Sequence, residues 1–342
     1  MLPETFRCYL VDKDAEGRVT GRITEVPTAN LPPGDVVVRV DYSSLNYKDA
    51  LGATGNPGVN KTFPNIPGVD VAGRVVESGV YEFCEGDEVI VTGFDMGTNR
   101  WGAWGDYIRV PQDWVVPMPA DLSIRESMIL GTAGLTAGFL VQALLDHDVT
   151  PEKGQVVVTG ASGGVGCFSV AILAKLGYEV VAVTGKESAH PLLESLGAAE
   201  IARREAVSDS SGKPLLKGRW AGAVDTVGSA PLSTILRAMK HGGCAAICGN
   251  AAGFDIPDMT VFPFILRGIT LTGIDAAWCP IPLRHQTWEK LAGEWKLDCL
   301  DRVAQFVTLE QLPGKIAEIL DSKITGRVVV AISDEAKSES LL

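Results

Sequence analysis

The sequence predicts an α/β chain in two parts, a β-rich, barrel-like domain followed by a doubly wound parallel sheet. Two observations carry that prediction. Short strands punctuated by Gly and Pro give way near Ser123 to alternating helices and strands. Residues 155–184, QVVVTGASGGVGCFSVAILAKLGYEVVAVT, read as strand, glycine turn, helix, strand. Length and composition agree: 342 residues, 46% of them apolar and 21% charged, suit two packed domains and exclude a disordered composition.

Taken in order, residues 5–12 and 18–26 predict a hairpin about a turn ending at Gly17. Pro32, Pro33 and Gly34 break the chain before the strand DVVVRVDYS. A polar segment, SSLNYKD (43–49), stands at that strand's end, and FPNIPGVD (63–70) is a rigid loop. Strands follow near 71–78 and 87–93, and WGAWGDYIRV and DWVVPMP complete the β-rich part. Residues 129–145 are almost free of charge, but Glu126 and Asp146 bracket them and Gly131, Gly134 and Gly138 interrupt them. The run is shorter than the ~20 apolar residues that span a bilayer, so it reads as a buried helix pair. Six strands near 155–159, 179–183, 198–202, 222–227, 244–248 and 269–273, with helices between them, make the doubly wound sheet. Helices at 282–295 and 309–320 and a strand at 326–332 are expected to return to the first part, and the tail after Asp334 reads as loose. The resulting segments are 1–126, 127–278 and 279–342.

The formal charge of −12 disfavours nucleic acid as a partner. Seven cysteines, an odd number without a C-x-x-C pair, do not resemble a disulfide framework and suit a reducing cytosol. The N-terminus shows no basic segment followed by an apolar core, so no signal peptide is visible. The four histidines, at 147, 190, 241 and 285, lack metal-ligand spacing, and no metal is expected.

The glycine turn has the spacing G-x-x-G-x-x-G at Gly160, Gly163 and Gly166. Its glycines let the backbone approach a pyrophosphate, and the N–H groups opening the next helix, from Ser162, Gly163, Gly164 and Val165, suit its negative charge. Sites that bind NAD usually place a carboxylate at the end of the second strand to hold the ribose hydroxyls. Here that position reads Thr184, Gly185 and Lys186, with Arg203 and Arg204 following the third strand. This basic edge predicts a pocket for the 2′-phosphate of NADPH.

The chain resembles the medium-chain dehydrogenase/reductase superfamily, which joins a GroES-like catalytic domain to a Rossmann domain. SSLNYKDAL (43–51), FPNIPGVDVAG (63–73), GTAGLTA (131–137), VVVTGASGGVG (156–166), AGAVDTVG (221–228), GGCAAICG (242–249) and PFILRGITLTGID (263–275) carry the likeness. Together they are most similar to the zinc-free acrylyl-CoA reductase group, whose members are also labelled quinone oxidoreductases. The segment 67–70 carries none of the histidine–glutamate pair by which zinc alcohol dehydrogenases hold their metal. The resemblance implies NADPH-dependent reduction of the C=C bond of acrylyl-CoA to propionyl-CoA, with quinone or alkenal reduction as the alternative. A third reading, of a different class, is a nucleotide-binding protein without a reductase activity, like the crystallin relatives of the superfamily. It also implies Tyr47 beside the nicotinamide, with Asn46 and Asp49 as orienting groups. Thr136, Asn250, Ile265 and Ala276 join the cofactor-binding set on the same ground. A CoA thioester needs cations, and Arg100, Arg267, Arg284, Lys323 and Arg327 are the candidates. A homodimer paired through the last strand, including Leu271 and Gly273, is expected from the unpaired sheet edge.

Overall fold

The computed structural model describes residues 2–340. The chain folds into two compact units. Unit 1 comprises the residues up to Thr132, Ala277–Gly293 and those from Ala304 on; unit 2 comprises Ala133–Ala276 and Glu294–Val303.

In unit 1, β1 (Thr5–Lys13) and β2 (Val19–Pro27) form the antiparallel hairpin. Then come β3 (Val36–Leu45), α1 (Tyr47–Ala53), β4 (Asp70–Ser78), β5 (Glu88–Thr92), β6 (Tyr107–Val110) and β7 (Val116–Pro117). β3 runs antiparallel to β4, and β4 to β5. The fully buried Trp104 anchors the core, its ring nitrogen donating to Ser44 O at 3.0 Å. The segment expected only to be polar forms helix α1, whose seven residues are too few to show a period in the sequence.

The next helix, α2 (Ile124–Asp146), is two helices joined at Gly131, whose φ of 49° and ψ of −155° are not helical. A side chain there would meet Asp70 Oδ2 at 2.5 Å as well as the positive φ, so only glycine fits. By length and composition this helix could cross a membrane, but 83% of its apolar window is buried. The expected buried helix pair is what the chain forms.

Unit 2 contains β8 (Val156–Thr159), α3 (Gly164–Lys175), β9 (Val180–Val183), α4 (His190–Ser195), β10 (Glu200–Ala202) and β11 (Trp220–Asp225). It continues through α5 (Ser229–Arg237), β12 (Met239–Ile247), α6 (Phe262–Arg267) and β13 (Thr270–Gly273). The six strands lie in the order β10-β9-β8-β11-β12-β13, all parallel. β8, β9 and β11 are buried at every position, as strands covered on both faces by helices must be. The winding reverses between β8 and β11, which opens a crevice at their carboxyl ends.

The remaining chain supplies α7 (Ile281–Ala292), α8 (Leu300–Val303), β14 (Ala304–Val307), α9 (Leu312–Leu320), β15 (Arg327–Ala331) and α10 (Asp334–Glu339). β15 pairs antiparallel with β3, the expected return to the first sheet, and carries β14 on its other side. Within the described residues the tail after Asp334 is not loose; residues 341–342 lie outside them. Ser333 caps α10 by accepting from Ala336 N, and Tyr42 Oη donates to Glu339 at 2.8 Å, fastening the helix to β3.

Candidate active site

In unit 2 the cofactor candidates gather at the carboxyl edge of the parallel sheet. The turn after β8 is close-packed: a Cβ on Gly166 would lie 2.3 Å from Gly160 O, and one on Gly160 2.2 Å from Thr226 Oγ1. Gly163 caps α3 with its backbone extended, leaving the N–H groups of the first turn to face outward. Thr184, at the end of β9, donates to Ser162 Oγ at 3.0 Å and accepts from Lys186 N at 3.1 Å, which ties the basic edge to the glycine turn. The Arg204 side chain crosses Gly185, where a Cβ would meet its Nε at 2.7 Å. Burial, chiefly, and the nearby Arg204 charge hold the Lys186 ammonium below its ordinary value. Arg203 is drawn instead to Glu187, so of the two arginines Arg204 is the one beside Lys186.

Asp225 closes the crevice, a residue to which the sequence reading assigned no role. It accepts from Thr159 Oγ1 at 2.7 Å and from the N–H groups of Val227 and Gly228, locking the ends of β8 and β11 together. The signal was available: a carboxylate ending an otherwise apolar strand, AGAVD, needs local donors. Asn250 is exposed in the loop after β12, Thr136 and Ala276 are buried, and Ile265 is 68% exposed on α6.

In unit 1 the candidates gather where β3 ends. Register places Val328 opposite Leu45, so Arg327 stands beside Asn46. Asp70 is fully buried and accepts from Ser44 Oγ at 2.5 Å, Asn46 Nδ2 at 2.8 Å and Thr132 N at 3.0 Å. The Arg327 guanidinium lies 3.6 Å from Asp70 Oδ2 and donates to Asn46 Oδ1 at 2.9 Å and Ile129 O at 3.0 Å. Asp49 completes a capping box at α1, accepting from Asn46 N at 2.8 Å and from Val69 N at 2.9 Å. Burial, and then the Asp70 charge, push the Asp49 carboxyl up to about 7, against these donated bonds. Asn46 and Asp49 thus fix the start of α1, and Tyr47 stands at its first position, 52% exposed. Asp70 was missed as a partner of Asn46 and Ser44, and Thr132 as a partner of Asp70, because they come from segments remote in sequence.

The five cations expected to meet CoA do not form one set. Arg327 is 3% exposed and Arg284 not at all, so neither borders a ligand as expected. Arg284 instead ties α7 to the end of β5 through Thr92 O, at 2.7 Å, and lies over the Phe94 ring at 4.5 Å. Arg267 donates to three carbonyls, those of Arg237, Met239 and Leu216, and holds α6 in place. Lys323 is exposed and paired with Asp321 at 2.8 Å, an ordinary surface pair. Arg100 lines an open cleft in unit 1.

No group of three or more His, Cys, Asp or Glu side chains is arranged to hold a metal among the described residues. Asp70, in the segment where the zinc dehydrogenases carry ligands, is engaged by donors on both oxygens, and that set does not fit zinc.

A GroES-like barrel, a parallel sheet ordered 3-2-1-4-5-6 and a close-packed glycine turn at its switch point define an alcohol-dehydrogenase-type oxidoreductase fold. Family models agree: residues 32–120 match the alcohol dehydrogenase GroES-like domain, and residues 164–292 match the zinc-binding dehydrogenase family. The chain is 43% identical to the acrylyl-CoA reductase AcuI of Ruegeria pomeroyi, over 96% of this chain and 99% of that protein. It is also 43% identical to the Bacillus subtilis "Putative quinone oxidoreductase YhfP", over 96% and 99% respectively. The crystal structure of E. coli K-12 YhdH with bound NADPH superposes with a TM-score of 0.91 at 44% identity, covering 95% of this chain and all of that one. That of B. subtilis yhfP with NAD bound gives 0.93 at 42%, over 96% and 100%. The chain belongs to the medium-chain dehydrogenase/reductase superfamily, in its acrylyl-CoA reductase group.

Proposed function

We propose that this protein reduces the C=C bond of acrylyl-CoA to propionyl-CoA with NADPH. Full-length similarity to an acrylyl-CoA reductase carries the reading. The residues of unit 2 fit the cofactor. The glycine turn packs too closely to admit a Cβ at Gly160 or Gly166, α3 presents its N-terminus to a pyrophosphate, and Lys186 and Arg204 offer two positive charges to a 2′-phosphate. When bound, NADPH supplies the hydride that reaches the β-carbon of the alkene. The electrons of the double bond then move toward the thioester oxygen, and a proton must reach the α-carbon. The Tyr47 hydroxyl, held at the start of α1 by the Asn46–Asp49 box, is the group of unit 1 that donates to the oxygen or protonates the carbon. No Lewis acid is required, because the conjugated carbonyl takes up the charge.

The second reading, reduction of a quinone, rests on the likeness to YhfP. Following NADPH oxidation with acrylyl-CoA, crotonyl-CoA, free acrylate and a benzoquinone decides between them. Acrylyl-CoA is expected to give the highest kcat/KM and free acrylate almost none. A quinone turning over far faster than any thioester would replace the first reading with the second, and NADPH oxidation independent of any acceptor would point to the third.

Assembly and location are further parts of the proposal. Among the described residues β13 has a strand partner on one side only, and Val261, Ile265 and Leu266 near it are more than half exposed. Pairing of two copies through that edge, Leu271 and Gly273 included, gives a homodimer. A stable monomer by light scattering at micromolar concentration would contradict it. Seven free cysteines suit a reducing cytosol.

A further inference from the structure

The cleft lined by Arg100 lies wholly within unit 1 and has a volume of about 480 Å³. That falls within the range of about 300–1,000 Å³ usual for small-ligand sites. Its walls are flat. Trp101 is half-buried and fixed by its ring N–H, which donates to Pro64 O at 3.2 Å; Trp114 is half-buried and fixed by stacking on Phe94 at 4.8 Å with the planes 4° apart. Pro32 and Pro33 add apolar surface. Its polar lining includes the Asp95 carboxylate and the Asn99 amide, 3.4 Å from each other. Arg100 lines the cleft as well: one η nitrogen is held by the carbonyls of Pro33 and Arg109, and the guanidinium lies 5.5 Å from the Trp114 ring.

The aromatic and proline walls, with Asp95 and Asn99 between them, suit a planar ring with donors and acceptors on its edge. Aromatic and proline faces stack on a base, a carboxylate accepts from an exocyclic amine, and an asparagine amide pairs with the donor–acceptor edge of adenine. The cleft is also linked to the catalytic end of the sheet. Thr92, the last residue of β5, pairs with Asp70, and Phe94 follows two residues later and stacks on Trp114.

Resting on the proposed activity toward a CoA thioester, we infer that this cleft holds the adenine ring of coenzyme A, with Trp101 as its stacking platform and Asp95 and Asn99 reading its edge. The site makes the nucleotide end of the substrate a source of affinity and leaves the chemistry to the acyl end.

The test compares acrylyl-CoA with acrylyl-pantetheine, which lacks the nucleotide. Trp101→Ala should raise KM for acrylyl-CoA by about ten- to a hundredfold, the range for loss of base stacking, and leave kcat unchanged. KM for acrylyl-pantetheine and for NADPH should not move, and Trp101→Phe should restore most of the affinity. Asn99→Ala, at an exposed position, should weaken acrylyl-CoA alone by a smaller factor and serves if Trp101→Ala does not fold. Equal shifts for both thioesters, or no shift for either, would overturn the assignment. Binding of desulfo-CoA, read by tryptophan fluorescence, separates this from the activity itself. A protein that binds it through Trp101 but reduces only quinones keeps the cleft and loses the proposed reaction. One that reduces acrylyl-CoA but binds desulfo-CoA equally well without Trp101 keeps the reaction and loses the cleft.

Discussion

In unit 1, Asp70 and Arg327 meet within a buried shell of hydroxyl, amide and backbone donors and acceptors. In unit 2, Lys186 and Arg204 share one sheet edge as two like charges, with the adjacent Glu187 held by Arg203. The first arrangement places a carboxylate and a guanidinium within reach of each other and works for the fold. The second places two cations side by side, where burial and the Arg204 charge hold the Lys186 ammonium below its ordinary value. Residue type does not separate the two, since an arginine serves in each. What separates them is the sign of the charge that the tertiary structure sets beside the cation.

The comparison can be broken most severely at Arg327. Arg327→Ala leaves Asp70 buried without its cation, and such a loss is expected to cost about 3–5 kcal/mol of stability. Urea unfolding of the two proteins measures it. A loss below about 1 kcal/mol would mean that the donors from Ser44, Asn46 and Thr132 already suffice.

Lys186→Ala tests the other side. Stability should hardly change, while NADPH binding should weaken by roughly ten- to a hundredfold, the consequence of losing one charge-assisted bond. NADH binding should stay as it was, and isothermal titration with both cofactors reads the difference. Equal losses for both would show that the lysine serves the pyrophosphate or the fold.

A third effect is one of pH. Asp49 is pushed up to about 7 from an ordinary carboxylate value near 4, so the folded state holds its proton more tightly than the unfolded chain. Its contribution is therefore fully present below about pH 4 and is lost as pH rises toward 7. Asp49→Asn, which keeps the side chain neutral, should flatten the fall in stability across that window. Unfolding curves at pH 4 to 7 test the sign, and a wild type that gains stability through Asp49 as pH rises would contradict it.

The parallel sheet was legible because β-branched runs such as VVV and VVAV, spaced by glycine turns, leave few alternatives. The basic edge after β9 and β10 was legible for a related reason: in such a sheet every residue just past a strand lies at the same end. Helix α1 was too short to show a period, although Asn46 and Asp49 already stood at the spacing of a capping box. The tail helix α10 depends on Tyr42, 297 residues from Glu339, and no local pattern announces that contact.

The sequence by itself therefore determined the order of elements, the glycine cradle and the missing carboxylate beside it, since each is a local property of residue type and spacing. Only the tertiary structure decided which cations are buried struts. Arg284 and Arg327 read in the sequence like any surface arginine, yet Arg327 reaches Asn46 across 281 residues and Arg284 reaches Thr92 across 192. The physical reason is that a buried charge is tolerated only where its partners converge, and that convergence is set by strand register and helix packing.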